Sequence, residues 1–382
     1  MRIGIDLSPL SYGNRTRGIG TYAENLVAAL AENDTTNEYV LLRAGGDRSG
    51  SLPFALPANF SVVPLAALPL GRAQPLVSHQ LVLPFRARAL QLDLLHVVSI
   101  PFNPSHPGVS YWQPVPIIVT VHDLMPLRMG NVFLKHARYR RFYEFQLNAC
   151  RRAAHLLAVS EHTARDLAQY RIAPRAKITV TPEAPPPLDT THEISQELRT
   201  LIRSGPFFLH VGGNEPQKNQ QTVLRAFGTL CRNPAFRHRL VLVGAAHWDD
   251  MPALEISTRA ALRIIRLTHI SRADLDALYA HCDAFVFPSL YEGFGLPILE
   301  AMRAGAPVVT SNVSSLPEVA GDAALLIDPK DATAIANALR RILDDERLRI
   351  KLSEAGERRA QEFTWARTAE LTRAVYERVG NP

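Results

Sequence analysis

The strongest constraint on the fold is a rhythm. Short β-branched runs, "RIGIDL", "EYVLLR", "LLHVVS", "PIIVTV" and "HLLAVS", alternate with helical periodicities such as "GTYAENLVAALAEN" and the segment around 132–152. Alternation of this kind predicts parallel sheets assembled from βαβ units. After "KITVTP", the Pro-rich polar stretch "EAPPPLDTTHE" reads as a linker. The rhythm then restarts with "FFLHVG", "RLVLVG", "DAFVFP", "APVVTS" and "AALLID", which predicts a second sheet. A helical tail with i,i+4 charge pairs runs from Asp331 to "FTWARTAELTRAVYERV". Length agrees, because 382 residues exceed a single core, which stops growing at roughly 250–300 residues. Open α/β sheets gather ligands at the carboxyl ends of their strands, so a site in a cleft between two domains is expected.

Charge narrows the partners. Residues 1–185 carry 19 Lys and Arg against 12 Asp and Glu, so the net charge of +6 belongs to the first half. Residues 128–152 hold seven basic side chains and one acid, interleaved with Phe, Tyr and Leu. Such a stretch suits an anionic membrane surface or a phosphate-bearing acceptor, and equally a solvated amphipathic helix with its apolar side on the core. Without a helix-turn-helix, zinc or RNA-binding signature, nucleic acid is not an expected partner. Three dispersed cysteines, Cys150, Cys231 and Cys282, argue against a disulfide framework and for a reducing compartment. No apolar run approaches 18 residues and no signal-peptide core opens the chain, so a cytoplasmic location is expected. There is no HExxH, nucleophile elbow, P-loop or clustered Asp-x-Asp, hence neither cofactor nor metal is expected.

Four stretches carry candidate chemistry. In "PSLYEGFGLPILEAMRAGAPVV", Pro297 places a helix start near Leu296, with the Gly293, Phe294, Gly295 and Leu296 amides at its positive terminus, suited to a diphosphate. Glu292 before the turn and Glu300 one turn inside the helix suit pairs of sugar hydroxyls; a turn cap and a surface helix residue are equally open readings. In "HVGGNEPQKN", Gly213 lies in a turn after a strand and Lys218 at a helix start, where an ammonium could neutralise a departing phosphate. A solvent-facing lysine is the commoner alternative. "TRGIGTYAENL" places Gly18 and Gly20 in a glycine turn opening a helix, and "VTVHDLMP" sets His122 at a strand end, as a ligand contact or a satisfied structural residue.

Taken together these residues resemble the retaining nucleotide-sugar glycosyltransferases of family 4, and the bacterial mannosyltransferases among them. The resemblance rests on Glu292 and Glu300, which match the family's E-x7-E, and on "SLPEVAGDAALLIDP", "GGNEPQKN", "VHDL" and "RGIGTY". It implies a GT-B architecture: two Rossmann-like α/β domains facing across a cleft, with a C-terminal helix crossing back. The expected segments are an acceptor-side domain over 1–184, a donor-side domain over 185–362 and the returning helix over 363–382. It further implies transfer of a hexose, with retention, from a nucleoside diphosphate sugar to a glycan or lipid-linked acceptor at the inner face of the plasma membrane. By that resemblance Glu300 would bind the donor ribose, Glu292 the donor sugar, and the Phe294, Gly295 and Leu296 amides phosphate or sugar. Lys218 would stabilise the leaving diphosphate, Gly18 or Gly20 would admit it, and His122 would contact the transferred sugar. GDP-mannose is the first expectation for the donor, a UDP-hexose the second. A nucleotide-sugar 2-epimerase and a non-catalytic scaffold share the fold. Two departures stand out: Gln217 precedes Lys218 where many relatives carry Arg, and "TPEAPPP" replaces the usual Asn-Gly after the linker strand.

Overall fold

The computed structural model describes residues 1–12, 18–44, 52–66, 70–189, 192–244, 257–268 and 270–380. They divide into two compact units, one formed by Met1–Glu183 with Thr364–Pro382 and the other by Ala184–Phe363. The chain therefore leaves the first unit at Glu183 and returns to it at Thr364.

In the first unit β1 (Arg2–Asp6), β2 (Glu38–Arg43), β3 (Phe60–Pro64), β4 (Leu94–Val97), β5 (Ile117–Val121), β6 (His155–Ala158) and β7 (Ile178–Val180) form a parallel sheet in the order β3-β2-β1-β4-β5-β6-β7. In the second, β8 (Phe207–Val211), β9 (Arg239–Val243), β10 (Ile264–Leu267), β11 (Ala284–Phe287), β12 (Val308–Ser311) and β13 (Ala324–Ile327) run parallel in the order β10-β9-β8-β11-β12-β13. Both orders reverse direction once, between β1 and β4 and between β8 and β11. In open α/β sheets ligands gather outside the strand ends at such a reversal.

Central strands such as β5 and β11 are buried along their whole length, as continuous apolar runs require. The edge strands β3 and β10 are half exposed, and their mixed sequences did not read as strands. The basic segment expected as one helix begins with two short turns, Met125–Arg128 and Gly130–Phe133, before the helix Ala137–Arg152. One face of the first sheet buries Ile3, Ile5, Leu26, Val27 and Leu30 together with Ala369, Val375 and Tyr376 from the last helix, Trp365–Gly380. Tyr376 is fully buried, and its hydroxyl lies 2.7 Å from His96 Nδ1, while His96 Nε2 lies 2.7 Å from Thr120 Oγ1. Burial lowers the His96 pKa to about 3, so a neutral ring bridges helix and sheet.

Candidate functional site

At the reversal point of the second sheet, β8 and β11 deliver the two loops that carry Lys218 and Glu292. Lys218 Nζ donates to Glu292 Oε1 at 2.7 Å, and the ammonium lies 5.0 Å from the centroid of the Phe287 ring. The Lys218 loop is a single turn, Pro216–Lys218, closed by Asn219 in the left-handed region (φ 56°), which asparagine tolerates. The Asn219 amide donates to the carbonyls of Pro288, at 2.9 Å, and Pro329, at 2.6 Å. Leu290 N–H donates to Gln217 O at 2.8 Å. Three loops distant in sequence are thereby fixed to one another.

The Glu292 loop is anchored from below. Ser314 Oγ accepts from Glu292 N–H at 2.9 Å and donates to Glu292 O at 2.5 Å, while Ser315 Oγ donates to Phe294 O at 2.7 Å. Gly295 caps the helix Leu296–Arg303 with φ 114°, where an L side chain is strained and a Cβ would stand 2.8 Å from Leu316. Gly293, Phe294, Gly295 and Leu296 are all buried residues. At Gly213 a Cβ would collide with the Glu215 carboxylate at 2.3 Å. Several buried polar atoms around these loops have no hydrogen-bond partner among the described residues: both polar atoms of Asn214 and of Gln220, Glu215 Oε2, Gln217 Oε1, Ser289 Oγ and His210 Nε2. Burial lowers the His210 pKa to about 4 against its hydrogen bond to the Val286 carbonyl, so the ring is neutral beside the Lys218 ammonium.

Glu300 lies inside the helix, 7 % exposed, not on a surface. Its Oε1 accepts from Arg272 Nη1 at 2.6 Å and its Oε2 from the Tyr279 hydroxyl at 3.0 Å. Sequence reasoning missed Arg272, Tyr279, Asn219, Ser314 and Ser315. Each is ordinary in composition, and only the capping Ser271 beside Arg272 gave a local signal for a helix start.

The reversal point of the first sheet holds the remaining candidates. His122 follows β5; its Nδ1 lies 2.9 Å from Glu183 Oε1 and its Nε2 2.9 Å from the Val98 carbonyl oxygen. Burial disfavours the charged ring, but the Glu183 carboxylate, the Val98 carbonyl and Asp123 outweigh it, and the His122 pKa is raised. Both nitrogens donate within the first unit. Gly18 and Gly20 begin the helix Gly18–Asn33, with Gly18 open to solvent and Gly20 buried, whereas Thr16 and Arg17 lie outside the described residues. Asp6, ending β1, accepts from Ser8 N–H at 3.0 Å and lies 3.0 Å from His79 Nε2, both side chains 1 % exposed. Among the described residues no group of three or more His, Cys, Asp or Glu is placed to hold a metal ion, and no helix is long and apolar enough to cross a membrane.

Two family models divide the chain as its two sheets do: the Glycosyltransferase Family 4 model matches residues 16–184 and the model for glycosyl transferases group 1 matches residues 198–359. Among curated proteins, the serotype-specific mannosyltransferase WbdA of Escherichia coli is 31% identical over 295 residues, 73% of this chain and 36% of that protein. The O-antigen chain mannosyltransferase B of the same species is 40% identical over 172 residues, 44% of this chain and 45% of its own. The chain thus spans between a third and a half of the length of these relatives. Among solved structures, a sucrose-phosphate synthase from Thermosynechococcus elongatus superposes with a TM-score of 0.73 at 20% identity, covering 99% of this chain and 98% of its own. An Anabaena HepE in complex with UDP-glucose superposes with a TM-score of 0.69 at 17% identity, covering 99% and 100%. Two parallel α/β units, a paired Lys218 and Glu292 at the reversal of the second sheet and matching models over both halves agree: the chain belongs to the family 4 glycosyltransferases of the GT-B fold.

Proposed function

We propose that the protein is a retaining, metal-independent hexosyltransferase. It moves mannose from GDP-mannose to an acceptor hydroxyl in the synthesis of a cell-surface polysaccharide or lipid-linked glycan. The observation that carries this reading is the Lys218–Glu292 pair at 2.7 Å beside buried polar atoms that lack partners, in a chain similar to two curated proteins named mannosyltransferases. In the proposed reaction the bond from the sugar's anomeric carbon to the diphosphate breaks and a glycosidic bond to the acceptor oxygen forms on the same face. The acceptor proton passes to a donor phosphate oxygen. Lys218 exchanges Glu292 for the departing diphosphate, an electrostatic contribution of the kind that dominates such catalysis. Glu292, released, accepts from hydroxyls of the transferred sugar, and Glu300 takes the ribose. The Gly293–Leu296 turn and Gly213 allow close backbone approach, and Gly18, Gly20 and His122 contribute from the first sheet.

The protein works in the cytoplasm at the inner face of the membrane. Supporting this, the helix Ala137–Arg152 buries Phe142, Tyr143 and Leu147 and turns Arg138, Arg141, Arg151 and Arg152 to solvent. Beside it the exposed Tyr111 stacks on Phe145, and the exposed Trp112 meets Phe85 edge-on at 4.9 Å. Exposed aromatics among arginines suit the headgroup layer of an anionic bilayer. UDP-hexose is the second reading for the donor, favoured by the likeness to the HepE complex with UDP-glucose.

The test is thermal stabilisation by GDP, UDP, dTDP, ADP and their hexose conjugates, first without and then with divalent metal, followed by transfer to a glycan acceptor. Stabilisation confined to GDP compounds, unchanged by metal, is expected. A shift by UDP compounds alone selects the second donor, donor turnover without acceptor selects an epimerase, and no shift at all selects the scaffold.

A further inference from the structure

Glu300 reaches the site already holding two partners, and their placement limits what it can bind. An ionised carboxylate offers about four lone-pair positions, two on each oxygen. Arg272 takes one on Oε1 at 2.6 Å and Tyr279 one on Oε2 at 3.0 Å. One acceptor position remains on each oxygen, and the side chain keeps 9% of its surface open. Two adjacent acceptors of this kind match two adjacent O–H donors.

Arg272 is itself aimed. Its Nη2 donates to Asp276 Oδ1 at 2.6 Å, and Asp276 Oδ2 accepts from Asp189 N–H at 3.0 Å. Arg303, the other cation nearby, approaches Asp276 at 3.7 Å and makes no ion pair with Glu300. Arg272 is also the first residue of the helix Arg272–His281, capped by Ser271, where a cation opposes the helix dipole. Helix stability does not call for arginine there; the two carboxylates it joins do.

We propose that Arg272, assisted by the Tyr279 hydroxyl, is a positioning residue that turns Glu300 into a reader of vicinal diols, presenting one free acceptor on each oxygen to the 2′ and 3′ hydroxyls of the donor ribose. The proposal rests on the nucleotide-sugar reading above and deepens it. Arg272 does not touch the nucleotide. Its role is to hold the carboxylate in one plane, so that a ligand with two neighbouring hydroxyls gains over a ligand with none.

The experiment compares calorimetric binding of GDP with 2′,3′-dideoxy-GDP, and of UDP with its dideoxy counterpart, to the whole chain and to Arg272→Gln, Arg272→Lys, Tyr279→Phe and Glu300→Ala. The wild type is expected to favour the ribose form by roughly a hundredfold or more, the value of two hydrogen bonds to a charged group. Arg272→Gln and Tyr279→Phe should each erase most of that preference by weakening the ribose form alone, and Arg272→Lys should restore part of it. Adding Arg272→Gln to Glu300→Ala should change nothing further. Equal weakening of ribose and dideoxy forms by Arg272→Gln would overturn the proposal, because it would mean a direct contact to phosphate or base, or a general loss of structure. An unchanged preference in both Arg272→Gln and Tyr279→Phe overturns it as well. Tyr279→Phe, which removes a single oxygen, and Arg272→Lys keep the test decisive if Arg272→Gln does not fold. A wild type that binds no nucleotide is a separate result and removes the nucleotide-sugar reading itself.

Discussion

The carboxyl ends of the two sheets use similar residues, but they treat their polar atoms in opposite ways. In the first unit Asp6 is met by His79 and Ser8, and His122 by Glu183 and Val98, with Ser8 Oγ, Ser11 Oγ and Thr181 Oγ1 as buried exceptions. In the second, Asn214, Glu215, Gln217, Gln220, Ser289 and His210 all keep buried polar atoms without partners. A buried polar atom left unpaired costs about 1–3 kcal/mol. The first set of strand ends is nearly finished as it stands. The second carries a destabilisation that a polar ligand bound there would relieve.

Four measurements test that contrast. The largest effect belongs to the finished end: Asp6→Ala leaves His79 without its carboxylate and should destabilise the protein by about 3–5 kcal/mol in urea unfolding. If it costs less than 1 kcal/mol, the Asp6–His79 contact is dispensable and the contrast is lost. Next comes Lys218→Ala, which should lower kcat for sugar transfer on the order of 10²–10³-fold with melting temperature nearly unchanged. Full activity in this variant would remove Lys218 from the chemistry.

The third is a pH dependence. The folded pKa of His122 is raised, so its contribution to stability is complete below the unfolded value near 6.5 and is lost as pH rises through the higher folded value. Melting temperature should fall across that window in the wild type. His122→Gln should flatten the fall, and an identical slope in both proteins would show that His122 is not the group responsible. The smallest effect is Gln220→Met. Replacing two unpaired polar atoms by an apolar chain should leave unliganded stability within about 1 kcal/mol of wild type while weakening nucleotide-sugar binding. A large loss of stability would mean that Gln220 has a partner in the free protein.

The same contrast explains what could be read in the sequence. Central strands were legible because burial on both faces demands unbroken runs of apolar and β-branched residues, as in Ile117–Val121 and Ala284–Phe287. The edges Phe60–Pro64 and Ile264–Leu267 were not, since a half-exposed strand can use almost any residue. Glu292, Gly295, Pro297 and Glu300 were legible because turn and helix start force residue types at fixed spacing. Their partners come from elsewhere: Arg272 is 28 residues from Glu300, Lys218 is 74 from Glu292, and Asn219 reaches 110 residues to Pro329. No local rule ties such residues together; only the folded chain does.

The return of the chain to its first unit also sets an order of assembly. Residues Ala184–Phe363 are contiguous, so their core can close as soon as they leave the ribosome. The earlier residues must wait, because Ala369, Val375 and Tyr376 cover the face formed by Ile3, Ile5, Leu26 and Val27. During synthesis the part made first is the part completed last, the reverse of the usual amino-terminal-first order. Through that interval it presents an uncovered apolar sheet face of the sort that chaperones bind.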